Sequence, residues 1–143
     1  MTFLIRKQPR RSSHMGNQVN NKAKPAKLTW KSTGEDVARF YNADLKGKVA
    51  VITGANSGIG FETARVFAGC GARTYMACRS KDRAQKAKTK LVKQGIDASL
   101  LIFLPLDLEY LVSVTAAIRE IYEEEKKIDF LILNAAIMAF FFL

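Results

Sequence analysis

The stretch Val49-Ala50-Val51-Ile52-Thr53-Gly54-Ala55-Asn56-Ser57-Gly58-Ile59-Gly60 constrains this chain more than any other. A short apolar run, Val49–Ile52, ends in a loop with glycines at 54, 58 and 60, and an amphipathic pattern follows at once. The reading is strand, tight turn, helix. Gly54 lets the chain turn sharply, Gly58 has no side chain to block an anion, and Gly60 lets the helix lie close to the strand. Unpaired N–H groups at the helix start then face outward, which is how a chain wraps a dinucleotide pyrophosphate.

From about residue 45 strands and helices alternate. The pattern predicts strands over Val49–Thr53, Thr74–Cys78, Leu100–Leu104 and Ile128–Leu133. Between them it predicts helices from Gly58 to Cys70, from a Ser80 cap to Gln94, and over Leu111–Glu125. The inward faces read as Ile59, Thr63, Val66, Phe67 and Cys70 in the first helix, and Ala84, Ala87, Leu91 and Val92 in the second. In the third they read as Val114, Ala117, Ile118 and Ile121. Leu100–Leu104 is almost unbroken apolar sequence, as a parallel strand buried on both faces should be. Right-handed crossovers then give a parallel sheet with helices on both faces, an α/β fold.

The octet Thr53-Gly54-x-x-x-Gly58-Ile59-Gly60, set between strand and helix, resembles the first glycine loop of the short-chain dehydrogenase/reductase family. The longer string from Gly47-Lys48-Val49 through Phe61-Glu62-Thr63-Ala64 looks most like the retinol-dehydrogenase and WW-domain-oxidoreductase branch. A WW domain needs two spaced tryptophans, and Trp30 is the only one here. The resemblance implies a doubly wound Rossmann fold with strand order 3-2-1-4. Residues 45–143 would be the N-terminal part of that domain, truncated after the fourth strand, and residues 1–40 a basic, disordered tail.

The cofactor expectation is NADP (NADPH). In NAD-binding relatives an acidic residue near the end of the second strand bonds the adenosine ribose hydroxyls. Here Cys78 holds that place and cannot repel a phosphate, while Arg79 can pair bidentately with a 2′-phosphate. The resemblance assigns the same role to Ala-Cys-Arg; Lys81 and Arg83, one turn on, would add field. It further implies that Asp107 accepts from the adenine amino group and that the Leu108 N–H donates to the ring. Asn134-Ala135-Ala136 would bound the ribose site, with Ala136 where the family motif has Gly. Thr53 would brace the first turn, Asn56 would bond within the glycine loop, and Ser57 and Ile59 would offer N–H groups to the phosphates. Asp107 near a helix start and Arg79 on the surface also have readings without any ligand.

In the family a Tyr donates the proton, a Lys four residues on lowers its pKa, a Ser polarises the carbonyl and an Asn completes the relay. All four follow the fourth strand, beyond Leu143, so no catalytic residue is assigned. Tyr122-Glu123-Glu124-Glu125-Lys126 has the Tyr-x-x-x-Lys spacing but falls on the helix before that strand, and it reads as a solvated helix end. No metal-ligand spacing occurs, and His14 has no partner in sequence. The functional expectation is the NADP-binding portion of an oxidoreductase, inactive as this chain. The alternative is a non-catalytic short isoform that binds nucleotide or a partner. Nothing selects a substrate or an oligomeric state.

The net charge of +10 sits mainly in one segment. Residues 1–31 carry eight Lys/Arg and no acid, leaving a net +2 for the remainder. Such a tail reads as a solvated extension, with weak attraction to acidic membrane or nucleic-acid surfaces as one alternative. A mitochondrial presequence is another. A late start at Met15-Gly16 is a third, although Asn20 stands where a myristoylation motif prefers Ser or Thr. Phe3-Leu4-Ile5 is too short for a secretory core, no run of 18 apolar residues exists, and two cysteines fit a reducing cytoplasm.

Overall fold

The computed structural model describes residues 23–25 and 27–136. Helix α1 (Gly34–Phe40) precedes the alternating part, which runs β1 (Val49–Thr53), α2 (Gly58–Gly69), β2 (Arg73–Cys78) and α3 (Lys81–Lys93). A 3-10 turn (Ala98–Leu100), β3 (Leu101–Pro105), α4 (Leu111–Glu124) and β4 (Phe130–Ile132) complete it. The four strands form one parallel sheet in the order β3-β2-β1-β4. Chain order reverses beside β1: the path moves from β1 out to β3, and α4 then carries it back across to β4. β1, between β2 and β4, is buried at every residue, as its apolar sequence requires.

Helices cover both faces. On one, Ala64 and Ala68 of α2 and Ala84, Ala87 and Leu91 of α3 pack on Ile52 and Met76. On the other, Ala117 and Ile121 of α4 pack on Val51, Tyr75 and Leu104. Ser80 caps α3, its side chain accepting from the Arg83 N–H, and Gly95 ends the segment at φ +88°.

Three expectations need correcting. The tail does not extend unstructured to residue 40. Thr33 and Asp36 form a reciprocal capping box that starts α1. Arg39 is buried against Glu35 and Asp36, and Glu35 also reaches Arg65 of α2 at 3.1 Å. The expectations for residues 1–22 lie outside the described residues. Second, α2 meets the sheet through Gly60, Ala64 and Ala68, whereas Ile59 is 79% exposed. Small side chains let helix and strand approach, and the bulky ones are turned aside. Third, Val92 and Ile118 are exposed.

The end of the sheet opposite the glycine loop is held by Asp129. Its carboxylate accepts from the Val49 N–H at 2.9 Å, Lys127 Nζ at 2.8 Å and Lys48 Nζ at 3.2 Å. Lys127 first, and the Val49 amide next, hold the Asp129 carboxyl down to about 2, below its ordinary 3.8. A lowered folded-state pKa means that the unfolded chain binds the proton more readily. The stabilisation is therefore complete above about pH 4 and is lost as pH falls towards about 2. Asp129→Asn should remove that part of the acid limb. Urea unfolding at stepped pH should show the gap between parent and variant narrowing below about pH 4 and closing only below about pH 2.

Candidate nucleotide site

The glycine loop leaves the carboxyl end of β1, and Asn134–Ala136 leaves the carboxyl end of β4. The two strands are neighbours on opposite sides of the reversal in chain order, the position at which open α/β sheets form a ligand crevice. A cleft of about 960 Å³ lies there. Of the residues singled out in the sequence, Thr53, Gly54, Asn56, Ser57, Arg79, Asp107, Leu108, Asn134, Ala135 and Ala136 line it. Ser80, Arg83, Leu106 and Glu109 line it as well. Of these, Arg83 had a sequence signal in its charge one turn after Arg79 and Ser80 one as a helix cap, while Leu106 and Glu109 had none; Cys78, singled out beside Arg79, lines the cleft too.

Gly58 and Ile59 do not line this cleft. They border an apolar groove on the far flank of α2. Gly60 lies beneath the loop: a Cβ there would stand 2.5 Å from the Gly54 carbonyl oxygen and 2.6 Å from Asn134 Nδ2. Gly54 takes φ +69°, and a Cβ on it would meet Ala135 Cα at 3.2 Å. The tight approach around Gly54 therefore falls at Asn134, whose Nδ2 would be 3.1 Å from that Cβ, and at Ala135.

Thr53 braces more than its own turn. Its Oγ1 accepts from the N–H groups of Asn134 at 3.0 Å and Ala135 at 2.9 Å, and Asn134 Nδ2 donates back to the Thr53 carbonyl at 3.0 Å. Thr53→Val keeps the shape and removes the acceptor. The stability loss should be about 1–3 kcal/mol, read as a lower urea midpoint at unchanged m-value.

The expected bond from Asn56 within the loop does not form, since its side chain has no hydrogen bond among the described residues. Instead the Ala55 and Asn56 backbone N–H groups aim at the Cys78 sulfur; burial raises that thiol's pKa and these amides act against the rise. Asp107 donates its N–H to Ser113 Oγ at 2.9 Å, and its carboxylate accepts from the Glu109 N–H at 3.1 Å. That carboxylate therefore orders the approach to α4.

The electrostatics are lopsided. Like α4, α2 starts with no side-chain cap and no acidic residue in its first turn, whereas α1 and α3 are both capped. Its first N–H groups and the positive end of its dipole are left open. Arg39, Arg65 and Arg73 all have carboxylate partners, but Arg79 and Arg83, both in the cleft wall, have none among the described residues. The guanidinium groups of Arg79 and Arg83 thus stand uncompensated in the cleft wall beside Ser57, an arrangement that favours an anion. Among the described residues no group of His, Cys, Asp and Glu side chains is arranged for a metal, and no helix is long and apolar enough to cross a membrane.

Known proteins agree with this geometry. The family model described as short chain dehydrogenase matches residues 48–142. Retinol dehydrogenase 11 of Mus musculus is 42% identical over 98 residues, which are 68% of this chain and 30% of that protein. The WW domain-containing oxidoreductase of Drosophila melanogaster is 42% identical over 101 residues, 70% of this chain and 25% of that one. The N-domain of a bacterial malonyl-CoA reductase, solved with NADP, superposes with a TM-score of 0.60 at 38% identity, covering 64% of this chain and 17% of that chain. This chain spans only about a quarter to two fifths of the length of the curated relatives it matches. The glycine loop, the sheet order and the family match agree: the chain belongs to the short-chain dehydrogenase family.

Proposed function

We propose that this chain binds NADP through its adenosine 2′-phosphate half and carries out no hydride transfer on its own. The observation that supports this most directly is that Arg79, free of any carboxylate among the described residues, shares one cleft with Ser57, the residue at which α2 starts without a side-chain cap. The residues fit the cofactor. The open amides suit a pyrophosphate. Arg79 would hold a 2′-phosphate through charge-assisted hydrogen bonds, and Cys78 would bring no negative charge against it. When bound, the nicotinamide supplies a hydride donor or acceptor for carbonyl reduction or alcohol oxidation. The chain's own residues bind and orient. Gly54 and Gly60 hold the loop close to the strand, Asn134 and Ala135 fix the ribose side, and Asp107 and Leu108 border the adenine side.

The described cleft wall contains no tyrosine, lysine or histidine to move a proton. That observation favours binding without turnover. Calorimetric titration of the chain should show 2′,5′-ADP binding at least tenfold more tightly than 5′-ADP. No NADPH oxidation should accompany carbonyl substrates. Equal affinity for the two nucleotides, or turnover by the pure chain, would overturn the proposal.

A further inference from the structure

We infer that one outer flank of α3 is a docking surface for an acidic α-helical segment of a partner protein. Docking there does not require that the cleft hold a nucleotide.

α3 carries six Lys/Arg and one Asp. Residues 32–143 together have a net charge of only +2, so outside α3 that part of the chain is on balance acidic. The helix is a local concentration of positive charge, not a sample of the chain's average. Ala84, Ala87 and Leu91 hold its inner face on the sheet, and Lys88 Nζ donates to the Leu101 carbonyl at 2.5 Å. Arg83, Lys86, Lys90 and Lys93 are exposed. None of these four has a carboxylate at ion-pair distance among the described residues, and Asp82, the one acid of the helix, pairs with none of them. By contrast, Arg39 of α1 and Arg65 of α2 each meet two carboxylates.

Steps of three, four and three residues set Arg83, Lys86, Lys90 and Lys93 in one row along a single flank, about 15 Å from first to last. Like charges at these spacings repel one another across each turn. Glutamate, of similar helix propensity, would relieve that repulsion from within the helix, and no position of the row holds one.

The shape of the row selects the partner. A second helix has the same rise, so carboxylates three, four and three residues apart on it come opposite the row in register, as the charged positions beside a coiled-coil seam do. Single-stranded nucleic acid is held by stacking as well as charge, and the flank has no aromatic side chain; Asp82 and Thr89 are its other residues. An acidic membrane holds a helix through apolar side chains next to the cations, and the half-exposed Val92 lies about 100° round the helix from Lys93.

The test uses the 143-residue chain and two fluorescein-labelled peptides of one alanine-rich composition. One has four glutamates spaced three, four and three residues apart; the other has them in succession. Fluorescence anisotropy at low salt should show the spaced peptide binding about fivefold more tightly, with affinity falling as salt rises. Exposed ion pairs are individually weak, so two are reversed together: Lys86→Glu with Lys90→Glu should weaken binding at least tenfold. Lys81→Glu, which lies off the row, should leave it within a factor of about two. The double reversal removes repulsion along the row, and circular dichroism should show its fold retained. The parent's preference between the two peptides tests the proposal without any variant. Equal affinity for the two peptides, indifference to the double reversal, or tighter binding to oligothymidylate or to phosphatidylserine vesicles would overturn it.

Discussion

Gly60→Val unfolds this chain at a urea midpoint lower by about 3 kcal/mol of stability, and what stays folded loses its affinity for 2′,5′-ADP. The cause is contact with backbone. A Cβ at Gly60 would lie 2.5 Å from the Gly54 oxygen and 3.0 Å from the Gly54 carbonyl carbon, neither of which can rotate away. Relief requires α2 to lift from β1 or the loop to move. Overpacking of this kind costs about 1–3 kcal/mol for one methyl group and more for a branched side chain. The gain in helix propensity over glycine, below about 1 kcal/mol, does not offset it. Gly58→Ala is the matched comparison. A Cβ there meets nothing within 4 Å, but the residue sits at φ +55°. Its cost is conformational, about 1 kcal/mol. Midpoints that fall in the opposite order would show that the loop is held in some other way.

Arg79→Ala should weaken 2′,5′-ADP binding by about 10- to 100-fold while leaving 5′-ADP within a factor of about two. Hydrogen bonds to a charged group contribute about 1.5–3 kcal/mol, which sets that range. The selectivity should also depend on pH. A phosphate monoester loses its second proton near pH 6, so the gap between parent and variant should narrow at pH 5 and widen by pH 7. Calorimetry at the two pH values reads both effects. An Arg79→Ala chain with unchanged 2′,5′-ADP affinity would shift the phosphate to Arg83 or remove it from this cleft.

The sheet was legible because its signals are local and agree with one another. β1 was bounded to the residue, since an apolar run met a glycine that only a positive φ explains. β4 was predicted longer than it is, because Ile128 and Leu133 are apolar without being paired in the ladder. α1 is only seven residues long and follows a run of basic residues, so its one local signal is the Thr33–Asp36 capping spacing. The buried face of α2 departs from the one its apolar spacing predicts, because hydrophobic size marks a buried position only where there is room. Against a sheet approached this closely the buried positions are Gly60, Ala64 and Ala68, while Ile59 stays in solvent. At the site, side-chain type marked Arg79 and Asp107 but not their partners. The Thr53 hydroxyl reaches residues 81 and 82 positions away, and only the folded register brings them together.

That hydroxyl joins the first turn of the sheet to the strand at its margin. Any ligand that quiets the glycine loop must also restrain Asn134 and Ala135, and through them the last ladder of the sheet. Hydrogen–deuterium exchange at the Leu131–Asn134 amides should therefore slow when nucleotide binds, although no ligand atom need touch Leu131. Occupancy of the cleft and permanence of the sheet's outermost strand are two readings of one linked equilibrium.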